Sequence, residues 1–119
     1  MASTSARRGP RAGAAQTAAG SVLVLHGPNL NLLGTADPAH WGTETLAEVD
    51  ARLVDEAARR GVRVSAFQSN HEGALVDRVH AARDEGVRFV IVNPGSLAPG
   101  SVALADALSA AALPFITVD

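Results

Sequence analysis

A chain of 119 residues with 47% apolar and 3% aromatic content has the size and composition of one globular domain with an aliphatic core. Its formal charge of -2 and pI near 6.0 leave no electrostatic footprint for nucleic acid, and no apolar run approaches the ~20 residues of a membrane span. With no Tyr, Lys or Cys, the chain has no phenolate, amine or thiolate chemistry, no disulfide framework and no thiolate metal site.

Residues 1–20 are rich in Ala, Gly, Ser and Thr and carry Arg7, Arg8 and Arg11 without an acid. Such a segment buries too little surface to offset chain entropy and is expected to be a disordered tail. The Arg pair suggests a twin-arginine export signal, but no apolar h-region of ~7–15 residues follows it, so a cytoplasmic protein is expected. Seven basic against twelve acidic groups then remain for the domain, residues 21–119, which is moderately acidic.

Val22 to Leu25 is a continuous apolar run and reads as a buried strand. A Gly/Pro/Asn loop follows it. Leu46, Val49, Leu53 and Ala57 recur at helical spacing, opened by a Thr45/Glu48 capping box and closed at Gly61. Val62, Val64 and Ala66 lead into a second strand ending at Phe67. The spacing then predicts a helix from about His71 to Glu85, burying Leu75, Val76, Val79 and Ala82 and stopping at Gly86. Phe89 to Val92 is a third strand, Val102 to Ala111 a third helix with Ser101 as its N-cap, and Phe115 to Val118 a fourth strand.

Near-continuous apolar strands alternating with helices imply a parallel sheet, and right-handed crossovers leave few topologies. The expected class is α/β with a flavodoxin-like sheet of order 2-1-3-4, in which ligands sit beyond the carboxyl ends of the strands, near the switch point between the first and third. The segments 26–34 and 93–100 both emerge there.

Four ordered motifs occupy the loops and strands of this pattern: HGPNLNLLG from His26, QSNHEG from Gln68, NPGSLAPGSVALADAL from Asn93 and PFITVD from Pro114. Together they resemble type II 3-dehydroquinate dehydratases over nearly everything from Val22 to Asp119. The resemblance implies a cofactor-free hydro-lyase of the shikimate pathway that removes water from a cyclic β-hydroxy ketone. In that family a tyrosinate takes the proton beside the carbonyl, a neighbouring arginine favours the tyrosinate, and a histidine protonates the departing hydroxyl. The other, unrelated class of dehydroquinase works through a lysine imine, which a chain without lysine cannot form.

Against that pattern, Ala36 stands in the arginine slot, Trp41 in the tyrosine slot and Asp119 in the histidine slot. Ala36 has no charge and the indole of Trp41 cannot accept a proton. The family's Thr-His-Thr-Ser segment is Ala98, Pro99, Gly100 and Ser101 here. The family's fifth strand and closing helix have no counterpart, so a C-terminally truncated domain is expected, with one face of its last strands open to water. By resemblance, Asn29, Glu72 and Asn93 position the substrate, and Asp106 reaches a neighbouring subunit's site. The plainer reading of both asparagines is that each bonds its own backbone in a tight turn.

Three of the four histidines have separate readings. His40, beside Trp41, is a substitute base within one residue of the lost tyrosine, if something aims it. His71 and Glu72 open a helix, where a carboxylate is ordinarily a dipole partner and alternatively half of a catalytic pair. His80 lies among Val76 and Val79 and is expected to pack. The functional expectation is thus a dehydratase-family protein with impaired turnover, its partners a small-molecule substrate and further copies of itself, with no cofactor, metal, nucleic acid or membrane. A non-catalytic pseudoenzyme or gene fragment with a binding or assembly role is the alternative, and altered chemistry through His40 or the His71/Glu72 pair is a third.

Overall fold

The computed structural model describes residues 20–97 and 101–118. The tail expected over residues 1–20 therefore lies almost wholly outside the described residues, as do Ala98, Pro99, Gly100 and Asp119. Four strands, β1 (Ser21–His26), β2 (Arg63–Gln68), β3 (Phe89–Asn93) and β4 (Phe115–Thr117), alternate with helices α1 (Pro38–Trp41), α2 (Leu46–Arg59), α3 (Glu72–Glu85) and α4 (Val102–Ala110). The strands form one parallel sheet of order β2-β1-β3-β4, the α/β, flavodoxin-like arrangement expected.

Two of the three long helices, α2 and α4, start where a side chain satisfies their free amides. Thr45 and Glu48 make both bonds of the capping box, and the Ser101 hydroxyl accepts from the Leu104 amide. Gly86 closes α3 in the left-handed conformation, with φ 79°. Two 3-10 turns, Leu30–Leu32 and Gly95–Leu97, and the single-turn helix α1 are absent from the sequence reading. They are too short to show a period.

The register pairs Leu23 with Val90 and Leu25 with Val92, so these four side chains share one face. They meet Leu75, Val79 and Ala82 of α3 and Leu104, Ala107 and Leu108 of α4 in one buried cluster. Burying each of the larger side chains stabilises by roughly 1.5–3 kcal/mol. Val76 of α3 packs against that cluster only partly buried.

Among the described residues, α2 packs on the opposite face against β2, and none of its residues is fully buried. The stripe expected to be buried is half exposed at Leu46, Val49 and Ala57, and Leu53 lies in the exposed class. On the β4 side of the sheet Phe115, Ile116 and Val118 are 39%, 48% and 40% exposed. Phe89 and Ile91 are half-buried. Among the described residues, then, apolar side chains on the last two strands stay partly open to water.

One reading of an individual histidine changes. His80 does not pack: it is exposed and lines a shallow cleft with Arg83, Asp84, Ala110 and Ala111 at the far ends of α3 and α4. The buried face of α3 is centred on Leu75, Val79 and Ala82, and one residue past Val79 the helix has turned about 100° away. The histidine that is buried is His26, at the last position of β1.

Candidate functional site

Three loops leave the carboxyl ends of β1, β2 and β3 and bond to one another. After β1 the chain passes through Gly27, whose amide donates to the Asn93 carbonyl at 2.8 Å. No side chain fits at that point. A Cβ on Gly27 would lie 2.1 Å from the Pro94 carbonyl oxygen, and one on Gly95 2.7 Å from that of Pro28. The first and third loops therefore meet backbone to backbone.

Asn29 takes the left-handed conformation at φ 72°, which Asn tolerates better than most residues. Its amide donates to Asn70 Oδ1 at 2.9 Å and its side-chain amide to Ser96 Oγ at 3.4 Å. The Gln68 side-chain amide donates to the Gly27 carbonyl and to Asn70 Oδ1, both at 3.1 Å, and faces Asn31 Oδ1 at 3.4 Å. Asn93 Oδ1 accepts from the Gly95 amide. The result is a neutral, hydrogen-bonded patch of amides built from all three loops, with Asn29, Asn31, Asn70 and Ser96 exposed.

Of the residues singled out in the sequence, Asn29 and Asn93 belong to this patch. Asn93 also makes the local turn bond of the plainer reading. Glu72, in the first turn of α3, accepts a hydrogen bond from the Ser101 hydroxyl, and that oxygen in turn caps α4. The bond ties the amino-terminal ends of two helices together beside the patch. His71 is the N-cap of α3 without a side-chain cap bond, and its amide donates to Ser69 Oγ. Asp106 is exposed on α4, and no hydrogen bond joins it to the patch among the described residues. Gln68, Asn70, Asn31 and Ser96 are members that the sequence reading passed over.

The loop after Asn31 carries the two replaced positions. The Thr35 and Ala36 amides both donate to the Leu32 carbonyl, folding the chain back before α1. Trp41, at the end of α1, is 63% exposed, with the His40 ring edge-on at a centroid distance of 4.6 Å. Both Ala36 and His40 are exposed, and no side-chain hydrogen bond aims His40. Among the described residues no group of three or more His, Asp or Glu is placed to hold a metal ion. No described helix is long and apolar enough to cross a membrane.

The family model for class II dehydroquinases matches residues 20–119, which covers every strand, helix and loop described above. The chain belongs to the class II dehydroquinase family. It is 57% identical over 98 residues to the 3-dehydroquinate dehydratase of Ralstonia pickettii, a match that covers 82% of this chain and 63% of that protein. A match to 3-dehydroquinate dehydratase 1 of Ralstonia nicotianae is also 57% identical and covers 85% and 65%. The chain thus spans a little under two thirds of the length of these relatives. Among solved structures, type II dehydroquinase from Butyrivibrio crossotus superposes with a TM-score of 0.78 at 31% identity, over 84% of this chain and 70% of that one. The family's fold is thus present through β4, with the amide patch at the carboxyl ends of its strands.

Proposed function

We propose that this chain is a 3-dehydroquinate dehydratase-family protein that binds the family's cyclic keto acid at the amide patch and dehydrates it poorly or not at all. The observation that carries this reading is one loop with two faces: Asn29 sits in the hydrogen-bonded patch, while farther along it Ala36 and Trp41 hold neither a cation nor a proton acceptor. The hydroxyls and carbonyl of such a substrate suit a neutral lining of Asn side chains, which both donate and accept. Asn29, Asn93 and Glu72 are the residues assigned to substrate, and Asp106 to a neighbouring copy.

Proton abstraction beside the carbonyl is the step that fails. Tyrosine, with an ordinary pKa near 10, needs an adjacent cation to serve as a base at neutral pH, and here both members of the pair are replaced. A positioned acid–base group typically contributes ~10²–10⁴ in rate. His40 is within one residue of the lost base, but among the described residues no hydrogen bond aims its ring, and Glu72 is already engaged by Ser101. No cofactor is required for this reading, and a cytoplasmic location accords with a biosynthetic family. A second reading, assembly with further copies and no turnover, draws on the exposed Phe115, Ile116 and Val118.

A turnover assay with parallel ligand titration tests the proposal. The expected result is saturable binding of 3-dehydroquinate without growth of the conjugated enone's ultraviolet absorbance. Turnover near that of the Ralstonia enzymes would refute the impairment, and absence of binding would refute the site.

A further inference from the structure

His26 is a buried titratable group that the proposed function does not use. Its side chain is 6% exposed, and its Nε2 lies 2.8 Å from Asp50 Oδ1 on the second turn of α2. An ionised carboxylate only accepts, so Nε2 carries the hydrogen whether the ring is neutral or charged. Nδ1 is buried with no hydrogen-bond partner among the described residues. The strand neighbours in register, Gln68 and Asn93, are uncharged.

The positions of the two partners give the pair its significance. His26 is the residue immediately before the loop 27–45, and Asp50 lies just beyond that loop's far end, which closes on the N-cap of α2. A Cβ on Gly34, at φ 84°, would meet the Thr43 carbonyl oxygen at 2.8 Å and Thr45 Cγ2 at 2.9 Å, so the middle of the loop is packed onto the same cap. Yet α2 has no fully buried residue. Apolar burial therefore holds it only loosely on the sheet, and a buried, charge-assisted hydrogen bond gives it a fixed anchoring point.

We infer that His26 and Asp50 are positioning residues, a latch across the base of the loop 27–45 that holds the segment bearing Asn29, Ala36 and Trp41 against the sheet. The inference rests on the reading of this loop as a wall of the binding site. The latch itself acts in the absence of ligand. Opening it frees the loop locally, while the core between the sheet and helices α3 and α4 is untouched.

Hydrogen exchange on the full, ligand-free chain tests it. Asp50 is on the half-exposed side of the pair, so Asp50→Ala spares the core. It should speed exchange of the bonded amides of Leu32, Thr35, Ala36 and Trp41 by about ten-fold or more, the factor expected for loss of a hydrogen bond to a charged group. The Val90 and Val118 amides should be unchanged. Asp50→Asn, which keeps an acceptor oxygen for Nε2–H, should restore most of the protection. Equal protection of the loop in Asp50→Ala and the parent, a uniform loss that includes Val90, or no rescue by Asp50→Asn would each overturn the latch. Titration of the same variants with 3-dehydroquinate separates the two claims: selective loop exchange in a protein that never binds leaves the latch standing and removes the site.

Discussion

Replacing Gly27 by Ala perturbs the junction of the first and third loops without touching the hydrophobic core. The added Cβ would sit 2.1 Å from the Pro94 carbonyl oxygen and 2.6 Å from its carbon. Both are main-chain atoms, which cannot rotate away as a side chain would, so relief requires the loops to part by about 1 Å to reach ordinary contact. That movement takes the Gly27–Asn93 bond, 2.8 Å in the native chain, beyond the ~3.2 Å reach of an N–H···O bond, and strains the one from Gln68 to the Gly27 carbonyl. Two bonds at about 0.5–1.5 kcal/mol each, plus the displaced packing, come to about 2–4 kcal/mol. With a urea m-value of about 1–2 kcal/mol/M for a domain of this size, the unfolding midpoint should fall by roughly 2 M. Gly73→Ala is the matched control. It lies in the first turn of α3 with nothing within 4 Å of an added Cβ, and it should stabilise by about 0.4–1 kcal/mol through the unfolded state. A Gly27→Ala midpoint within error of the parent, or the same sign of shift for both variants, would refute the steric argument.

Thr45→Ala removes the cap of α2 and should cost about 0.5–2 kcal/mol by urea titration. The Thr45 backbone amide, and then its hydroxyl, hold the Glu48 carboxyl below its ordinary value of 4.5. A lowered folded value gives stability that is present above that ordinary value and lost as pH falls below it, so the parent should lose α2 protection at more acidic pH and Thr45→Ala should flatten that dependence. Trp41→Tyr alone should give no dehydration at neutral pH, because the phenol lacks a cation to ionise it; any gain in enone absorbance should require Ala36→Arg in the same chain. Sedimentation of the 119-residue chain over rising concentration should show self-association, and Ile116→Glu should weaken it by placing a charge on the open face of β4. A concentration-independent monomer would argue against that use of the face.

The elements most legible in the sequence are those whose signals are local. The Thr45/Glu48 box and the Ser101 cap involve residues three apart, and both form as their spacing implies. Continuous apolar runs and crossover handedness left few topologies, and the flavodoxin-like order chosen among them is the one observed. Burial was harder to read, because it depends on what lies opposite: α2 has a sharp apolar stripe, yet among the described residues Leu53 and Val54 remain exposed. In α3 apolar residues surround the buried face at Val76 and Ala81, which hides where that face is centred and drew His80 inward. At the site, motif resemblance pointed to Asn29 and Asn93. Gln68, Asn70 and Ser96 looked like ordinary turn formers, and only the convergence of three loops distinguishes them. Their common position, at or just past the carboxyl end of a strand, is the signal that could have found them.

The exposed indole at the end of α1 also decides how this protein can be watched. Trp41 is the only tryptophan of a chain that has no tyrosine, so near-ultraviolet absorbance and intrinsic emission come almost entirely from one loop position outside the hydrophobic cluster. An optical melt therefore follows the loop 27–45, and it will coincide with a far-ultraviolet melt only if loop and sheet unfold as one cooperative unit. Separation of the two curves would divide the chain into a rim and a scaffold with different stabilities. A bound ligand that contacts the loop would shift the emission curve first.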